Sequence, residues 1–187
     1  MATRNLVHTI AVCLLTCAAG ASLGCTRTPH DSSIIAHAES PGPEGAVGSL
    51  APTLHAVAHN GSIIDLAALR GRPVIVYFYP KDESPGCTKQ ACALRDAWAT
   101  LSKRNVVLVG VSSDNPESHR AFAEHHKLPF ALLSDADGRI AGAFGVPRIL
   151  GFTARQTFVI NAEGRITHVH RSVDPLTHAA ELEAEVP

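Results

Sequence analysis

The sequence predicts a mixed α/β layer fold. Two runs, Pro73–Tyr79 and Val106–Val111, are almost wholly aliphatic or aromatic and rich in β-branched residues, the pattern of strands buried on both faces. Each is followed by a stretch of helical periodicity. Two alternating segments, Gln156–Ile160 and Arg165–His170, close the chain as a hairpin around Asn161-Ala162-Glu163-Gly164. Strands that alternate with helices and end in a hairpin imply a central mixed β-sheet flanked by helices.

The elements follow in order. Leu54–Val57 and Ile63–Leu66 surround His59-Asn60-Gly61-Ser62, and Asn-Gly is a strong hairpin signal, so an N-terminal β-hairpin is expected. The strand Pro73–Tyr79 runs into a loop holding Pro80, Pro85 and Gly86. Cys87–Asn105 reads as helix, with an apolar stripe of Cys87, Ala91, Leu94, Trp98 and Leu101. Asp114-Asn115-Pro116-Glu117 starts the next helix, to about Lys127, with Pro at its first position. Leu128–Leu133 is expected as strand, Asp135–Gly138 as turn and Ile140–Phe144 as a short helix. Asp174-Pro175 opens a terminal helix.

The first 45 residues differ in kind. Residues 1–24 carry a single charge, Arg4, then an apolar run from about Leu6 to Ala19, then small residues. That is the order of a secretory signal. Ser22-Leu23-Gly24-Cys25 resembles a bacterial lipobox, which makes Cys25 a candidate for acylation; cleavage after Ala19-Gly20-Ala21 is the alternative. Residues 25–45 are rich in Ser, Pro and Gly and read as a flexible tether. The folded domain is then residues 46–187, in the periplasm or cell envelope, with the membrane reached only through a lipid on Cys25.

Composition removes other classes. Lys+Arg number 16 and Asp+Glu 17, a net charge of −1, which gives no electrostatic basis for nucleic-acid binding. Aromatic residues are 5%, too few for a base-stacking platform. No self-complementary patch is evident, and a monomer is expected.

Cysteine usage narrows the chemistry. Of five cysteines, only Cys87 and Cys92 fall in the domain, too few for a disulfide framework or a four-ligand zinc site. With Ser84 as N-cap and Pro85 at the first helical position, Cys87 lies in the first turn, where free N–H groups and the helix dipole favour an anion. A thiol there is biased toward the reactive thiolate. The competing reading is a small inert buried Cys. On an ideal helix, residues five apart are separated by about 140° and about 7.5 Å of rise, or roughly 8–9 Å between Cα atoms. A disulfide needs less than about 7 Å. The pair therefore bonds only if the first turns of the helix unwind, which suits a switchable disulfide rather than a permanent one.

The run Tyr79-Pro80-Lys81-Asp82-Glu83-Ser84-Pro85-Gly86-Cys87-Thr88-Lys89-Gln90-Ala91-Cys92 resembles the signature of the peroxiredoxins, in particular the bacterioferritin-comigratory-protein/PrxQ subfamily. Pro80, Ser84 and Cys87 fill its P-x-x-x-[T/S]-x-x-C core, with Ser84 where Thr is commoner. Arg155-Gln156-Thr157-Phe158-Val159-Ile160-Asn161 resembles the later segment that supplies an active-site Arg, here Arg155. Gly48-Ser49-Leu50-Ala51-Pro52 resembles the segment that opens the domain. The resemblance implies a thioredoxin-like fold without a cofactor and the reduction of hydrogen peroxide and organic hydroperoxides. Cys87 would attack peroxide and become a sulfenic acid, with Arg155 and the Ser84 hydroxyl stabilising charge and Pro80 shielding the thiolate. Cys92 would resolve the sulfenic acid as a disulfide, and a thioredoxin-like dithiol would reduce it.

Simpler roles stand beside these. Ser84 as a plain cap, Pro80 as a strand terminator and Arg155 as a hairpin residue are the alternatives, with Arg148 and Arg95 as rival thiolate partners. An exported thioredoxin-fold copper chaperone is a rival function, but its C-x₃-C is one residue shorter than the spacing here. A thiol–disulfide oxidoreductase would carry C-x-x-C, which is absent. His125-His126 and His168/His170 could add metal ligands, but are expected on solvated faces.

Overall fold

The computed structural model describes residues 45–186, so the signal-like segment, Cys25 and the tether up to residue 44 lie outside the described residues. The elements, in chain order, are β1 (His55–Val57), β2 (Ile63–Asp65), β3 (Val74–Phe78), α1 (Pro85–Lys103), β4 (Val107–Ser112), α2 (Pro116–His126) and β5 (Ala131–Ser134). They continue with α3 (Arg139–Ala143), β6 (Arg148–Ile149), β7 (Phe152–Thr153), β8 (Gln156–Ile160), β9 (Ile166–His170) and α4 (His178–Glu185).

Five strands form one mixed sheet in the order β5-β4-β3-β8-β9. β3, β4 and β5 are parallel, while β8 is antiparallel to both β3 and β9. This is the mixed α/β fold expected, with the β1–β2 hairpin as a separate two-stranded sheet. Alternation along β3 splits the core in two. Ile75 and Tyr77 point to the side that holds Cys87, Leu94 and Leu101 of α1, Phe122 of α2 and Leu182 of α4. Val74, Val76 and Phe78 point to the other side, among Leu54, Ile64, Ala141, Phe144 and Phe158. Both faces are covered, which is why β3 reads as a continuous apolar run. Gly110 of β4 is required by close approach: a Cβ there would lie 2.7 Å from the Tyr77 hydroxyl.

Several boundaries move for local reasons. α1 begins at Pro85 with Ser84 at the N-cap, which places Cys87 in its first turn, and it ends at Lys103, two residues before the expected Asn105. β5 starts at Ala131 rather than Leu128. Lys127 turns left-handed (φ 53°, ψ 48°) to close α2, and the Leu128 amide donates to the Ala123 carbonyl, so residues up to Pro129 are spent leaving the helix. α4 starts at His178 rather than Asp174; Asp174 instead makes a turn whose carboxylate accepts from the Leu176 amide. The β6–β7 hairpin was not expected. Its turn residues Leu150 and Gly151 both have positive φ (53° and 85°), and Leu-Gly carries no ordinary signal for such a turn.

Candidate active site

The sheet topology builds the site. From β3 the chain moves one way, through α1 to β4, while β8 pairs on the other side of β3. The carboxyl end of β3 is therefore the point where strand order diverges, a place where α/β sheets open a crevice. Tyr79 prolongs the pairing by one bond, its amide donating to the Val111 carbonyl at 3.1 Å. Half-buried Pro80 then starts the loop that leads to α1.

Cys87 sits at the third position of α1, 2% exposed, with its thiol free. Ser84 occupies the N-cap position in an extended conformation, as expected, but its side chain makes no cap bond. Its hydroxyl donates to the Lys81 carbonyl at 2.9 Å and so tightens the loop.

Antiparallel pairing sets Gln156 opposite Phe78, so Arg155, one residue earlier, lies beside the β3–α1 loop. Its Nη2 donates to Cys87 Sγ at 3.2 Å and its Nη1 to Gln90 Oε1. Gly86 makes room for this: a Cβ there would be 3.3 Å from Arg155 Nη2. The rival arginines are engaged elsewhere. Arg148 donates to the Ala136 and Gly151 carbonyls, and Arg95 to Asp96 and the His126 carbonyl. Gln90 is a functional contact the sequence reading missed. It lies inside the motif, next to Ala91 of the apolar stripe, and only the fold shows that it is fully buried. Tyr77 lies near the thiol, its buried hydroxyl without a hydrogen-bond partner. Burial, reinforced by Asp82 and Cys87, pushes that hydroxyl well above the usual tyrosine range.

The loop is anchored from the α2 side. Asp82 is 4% exposed and accepts from Tyr79 Oη (2.7 Å) and Ser118 Oγ (2.8 Å), with His119 Nδ1 at 2.9 Å. Its amide donates to Asp114 Oδ2 at 2.8 Å. Burial pushes the Asp82 carboxyl up, but His119, Tyr79 and Ser118 together outweigh it and hold it below the usual carboxylate value.

Cys92 is half-buried in the second turn of α1, with both cysteines in the intact helix and unbonded. Its Sγ lies 3.9 Å from His126 Nδ1. His126 Nε2 is 3.0 Å from Glu83 Oε2, and His125 Nδ1 is 3.0 Å from Glu83 Oε1. The His126 ring, then His125, hold the Glu83 carboxyl below its usual value. Glu83 itself adopts positive φ (56°), an uncommon conformation for a non-glycine residue and the one backbone strain in this loop. His126 was expected on a solvated helix end; the fold of α2 against α1 brings it to Cys92 instead.

Residues 47–169 match the AhpC/TSA family. The chain belongs to that family, in its peroxiredoxin Q/BCP branch. It is 41% identical over 144 residues to a putative peroxiredoxin bcp of Coxiella burnetii, covering 73% of this chain and 95% of that protein. It is 42% identical over 127 residues to the chloroplastic peroxiredoxin Q of Populus jackii, covering 67% of this chain and 60% of that protein. The chain thus spans about 60% of the length of the plant relatives it matches. Among solved structures it resembles peroxidoxin BcpB of Mycobacterium tuberculosis, with TM-score 0.68, 32% identity and coverage of 74% and 94% of the two chains. It also resembles the bacterioferritin comigratory protein of Xanthomonas campestris, with TM-score 0.67, 29% identity and coverage of 71% and 89%.

Proposed function

We propose that this chain is a thiol-dependent peroxidase acting on hydrogen peroxide and organic hydroperoxides. The observation that carries the reading is the Arg155 guanidinium 3.2 Å from a buried Cys87 sulfur at the start of α1. The guanidinium and the helix N-terminus both place positive charge beside the sulfur, where the reaction builds an anion. The thiolate attacks the terminal peroxide oxygen. An S–O bond forms and the O–O bond breaks; sulfur is oxidised by two electrons to the sulfenic acid, and the leaving oxygen departs as water or alcohol after taking a proton. Charge moves from sulfur to that oxygen, so donors beside the sulfur, Arg155 and the first amides of α1, can follow it. Ser84 holds the loop through Lys81, and Pro80 walls the thiolate from solvent.

Cys92 then condenses with the sulfenic acid, forming the disulfide and releasing water. With both residues on one helix, this requires the first turns of α1 to unwind. His126 beside Sγ is placed to take the Cys92 proton, with Glu83 orienting the ring. An external dithiol of thioredoxin type restores both thiols by exchange. We read the protein as a monomer with residues 1–24 as an export signal and residues 25–45 as a tether, placing the domain in the periplasm or cell envelope. Acylation of Cys25 would show as a lipid-sized mass increase on the mature N-terminal peptide.

The test adds one equivalent of hydrogen peroxide to the reduced protein and follows the single Trp98 by stopped flow. Trp98 lies on α1, edge-on to Phe130 at 6.2 Å between ring centres, so its emission reports unwinding. A rapid change ending in the loss of two hydrogens, absent in Cys87→Ser, is expected. Two thiols still free after peroxide would refute the reading.

A further inference from the structure

The terminal strand and helix bring together a second group of side chains. In the β8–β9 register His170 lies opposite Thr157, so the two point to the same face of the sheet. His178 and Glu181 are three residues apart on α4, on one face of that helix. α4 lies over that face of the sheet, and the His170 and His178 rings meet edge to face with centres 5.1 Å apart.

Each ring uses one nitrogen outward. His178, 0% exposed, has Nε2 2.9 Å from Thr157 Oγ1. His170 has Nε2 2.8 Å from Glu185 Oε2. The other nitrogens converge on a single oxygen. His178 Nδ1 is 3.6 Å and His170 Nδ1 3.8 Å from Glu181 Oε2, both too long for a hydrogen bond. His178 Nδ1 is accordingly a buried polar atom without a partner. Such atoms are costly to leave unpaired, so this one calls for an occupant.

The set fits a metal. Two imidazole nitrogens and one carboxylate oxygen lie within 4.8 Å of one another. Tetrahedral zinc, with bonds of about 2.0–2.1 Å, places neighbouring ligand atoms about 3.3 Å apart, so the 3.6 and 3.8 Å gaps from the two rings to Glu181 Oε2 close with shifts of a few tenths of an ångström. Glu181 is 45% exposed; its Oε1 accepts from Thr177 Oγ1 at 2.7 Å while Oε2 faces the two rings, and its open side leaves room for water as a fourth ligand. Glu185 on the outer nitrogen of His170 is the carboxylate partner that metal-binding histidines ordinarily have, and Thr157 Oγ1 engages the outer nitrogen of His178. The other such cluster among the described residues, Glu83 with His125 and His126, differs: its carboxylate already sits 3.0 Å from both rings, and no nitrogen is orphaned.

We propose that His170 Nδ1, His178 Nδ1 and Glu181 Oε2 bind one divalent transition-metal ion of the zinc type, clasping α4 to the β8–β9 edge of the sheet. The site is separate from the two cysteines and does not depend on the peroxidase reading. Its effect would reach α1, because Ala179 and Leu182 of α4 share a core with Cys87 and Leu94.

The test is calorimetric titration of Zn²⁺ into the full chain with all five cysteines (Cys13, Cys17, Cys25, Cys87 and Cys92) replaced by serine, which removes thiolate ligands, with thermal unfolding in Zn²⁺ against EDTA. One equivalent bound and a higher Tm in Zn²⁺ are expected. Glu185→Gln should weaken binding about tenfold, and His170→Gln or Glu181→Gln should weaken it further and abolish the Tm shift. These residues are all partly exposed, so the variants are expected to fold. Glu83→Gln should leave zinc binding and its Tm increment unchanged. Absence of zinc binding, or binding that survives both His170→Gln and Glu181→Gln, would overturn the proposal, as would its loss in Glu83→Gln.

Discussion

Replacing Arg155 by methionine keeps side-chain length and removes the guanidinium beside Cys87. At 3.2 Å, opposite unit charges at an effective dielectric of 20 attract by about 5 kcal/mol. That figure is a ceiling, since Arg155 is half-buried and water would partly replace it. A hydrogen bond to a charged group contributes about 1.5–3 kcal/mol net. Attack on peroxide should therefore slow by about 10- to 150-fold. Gln90 Oε1 loses its donor in the same variant while Nε2 is already unpartnered, so values near the upper end are expected. Arg155→Lys, which keeps charge without the two-pronged contact to Sγ and Gln90, should fall between the two. The assay is the second-order rate constant from Trp98 stopped flow over a range of peroxide concentrations, paired with the rate of Cys87 alkylation by iodoacetamide at neutral pH. Both should drop while the circular dichroism spectrum is unchanged. If Arg155→Met reacts within about twofold of the parent in both assays, the guanidinium does not stabilise the thiolate and the argument fails.

Gly86→Ala puts a Cβ 3.3 Å from Arg155 Nη2, so the guanidinium must yield; the peroxide step should slow about fivefold, near 1 kcal/mol of lost hydrogen bonding, while Tm holds or rises because Ala suits a helix better than Gly. His126→Gln should leave the first kinetic phase intact and slow disulfide formation by up to about a hundredfold; equal slowing of both phases would deny His126 a role specific to Cys92. Asp82→Asn should cost about 3 kcal/mol at neutral pH by breaking a buried pair, measured by urea unfolding. Because the folded-state Asp82 pKa lies below the ordinary 3.8, its pH-dependent contribution is fully present above that pH and is lost as pH falls through the folded value; the gap between parent and variant should narrow below pH 3.8, and a gap constant with pH would contradict the assignment.

Near-neighbour patterns carried much of this protein. The unbroken apolar run of β3, the stripe on α1 and the Asn-Gly of the first hairpin each express a preference settled within a few residues, so those elements and the N-terminal position of Cys87 were legible from the chain alone. The spacing of Cys87 and Cys92 also sufficed to exclude a disulfide within an intact helix, because helical rise is a local constant. Contacts between distant segments were another matter. Arg155 entered the reading only through resemblance; what puts it on Cys87, 68 residues away, is the antiparallel register of β8 on β3. Gln90 gave no local signal, and the chain offered His125-His126 and His168/His170 only as residues that could add ligands, without Glu83, Cys92, His178 or Glu181 as their neighbours. A histidine on a helix end or an alternating strand looks solvated in sequence, and only the packing of α2 on α1 and of α4 on the sheet decided which nitrogens became buried and what they faced.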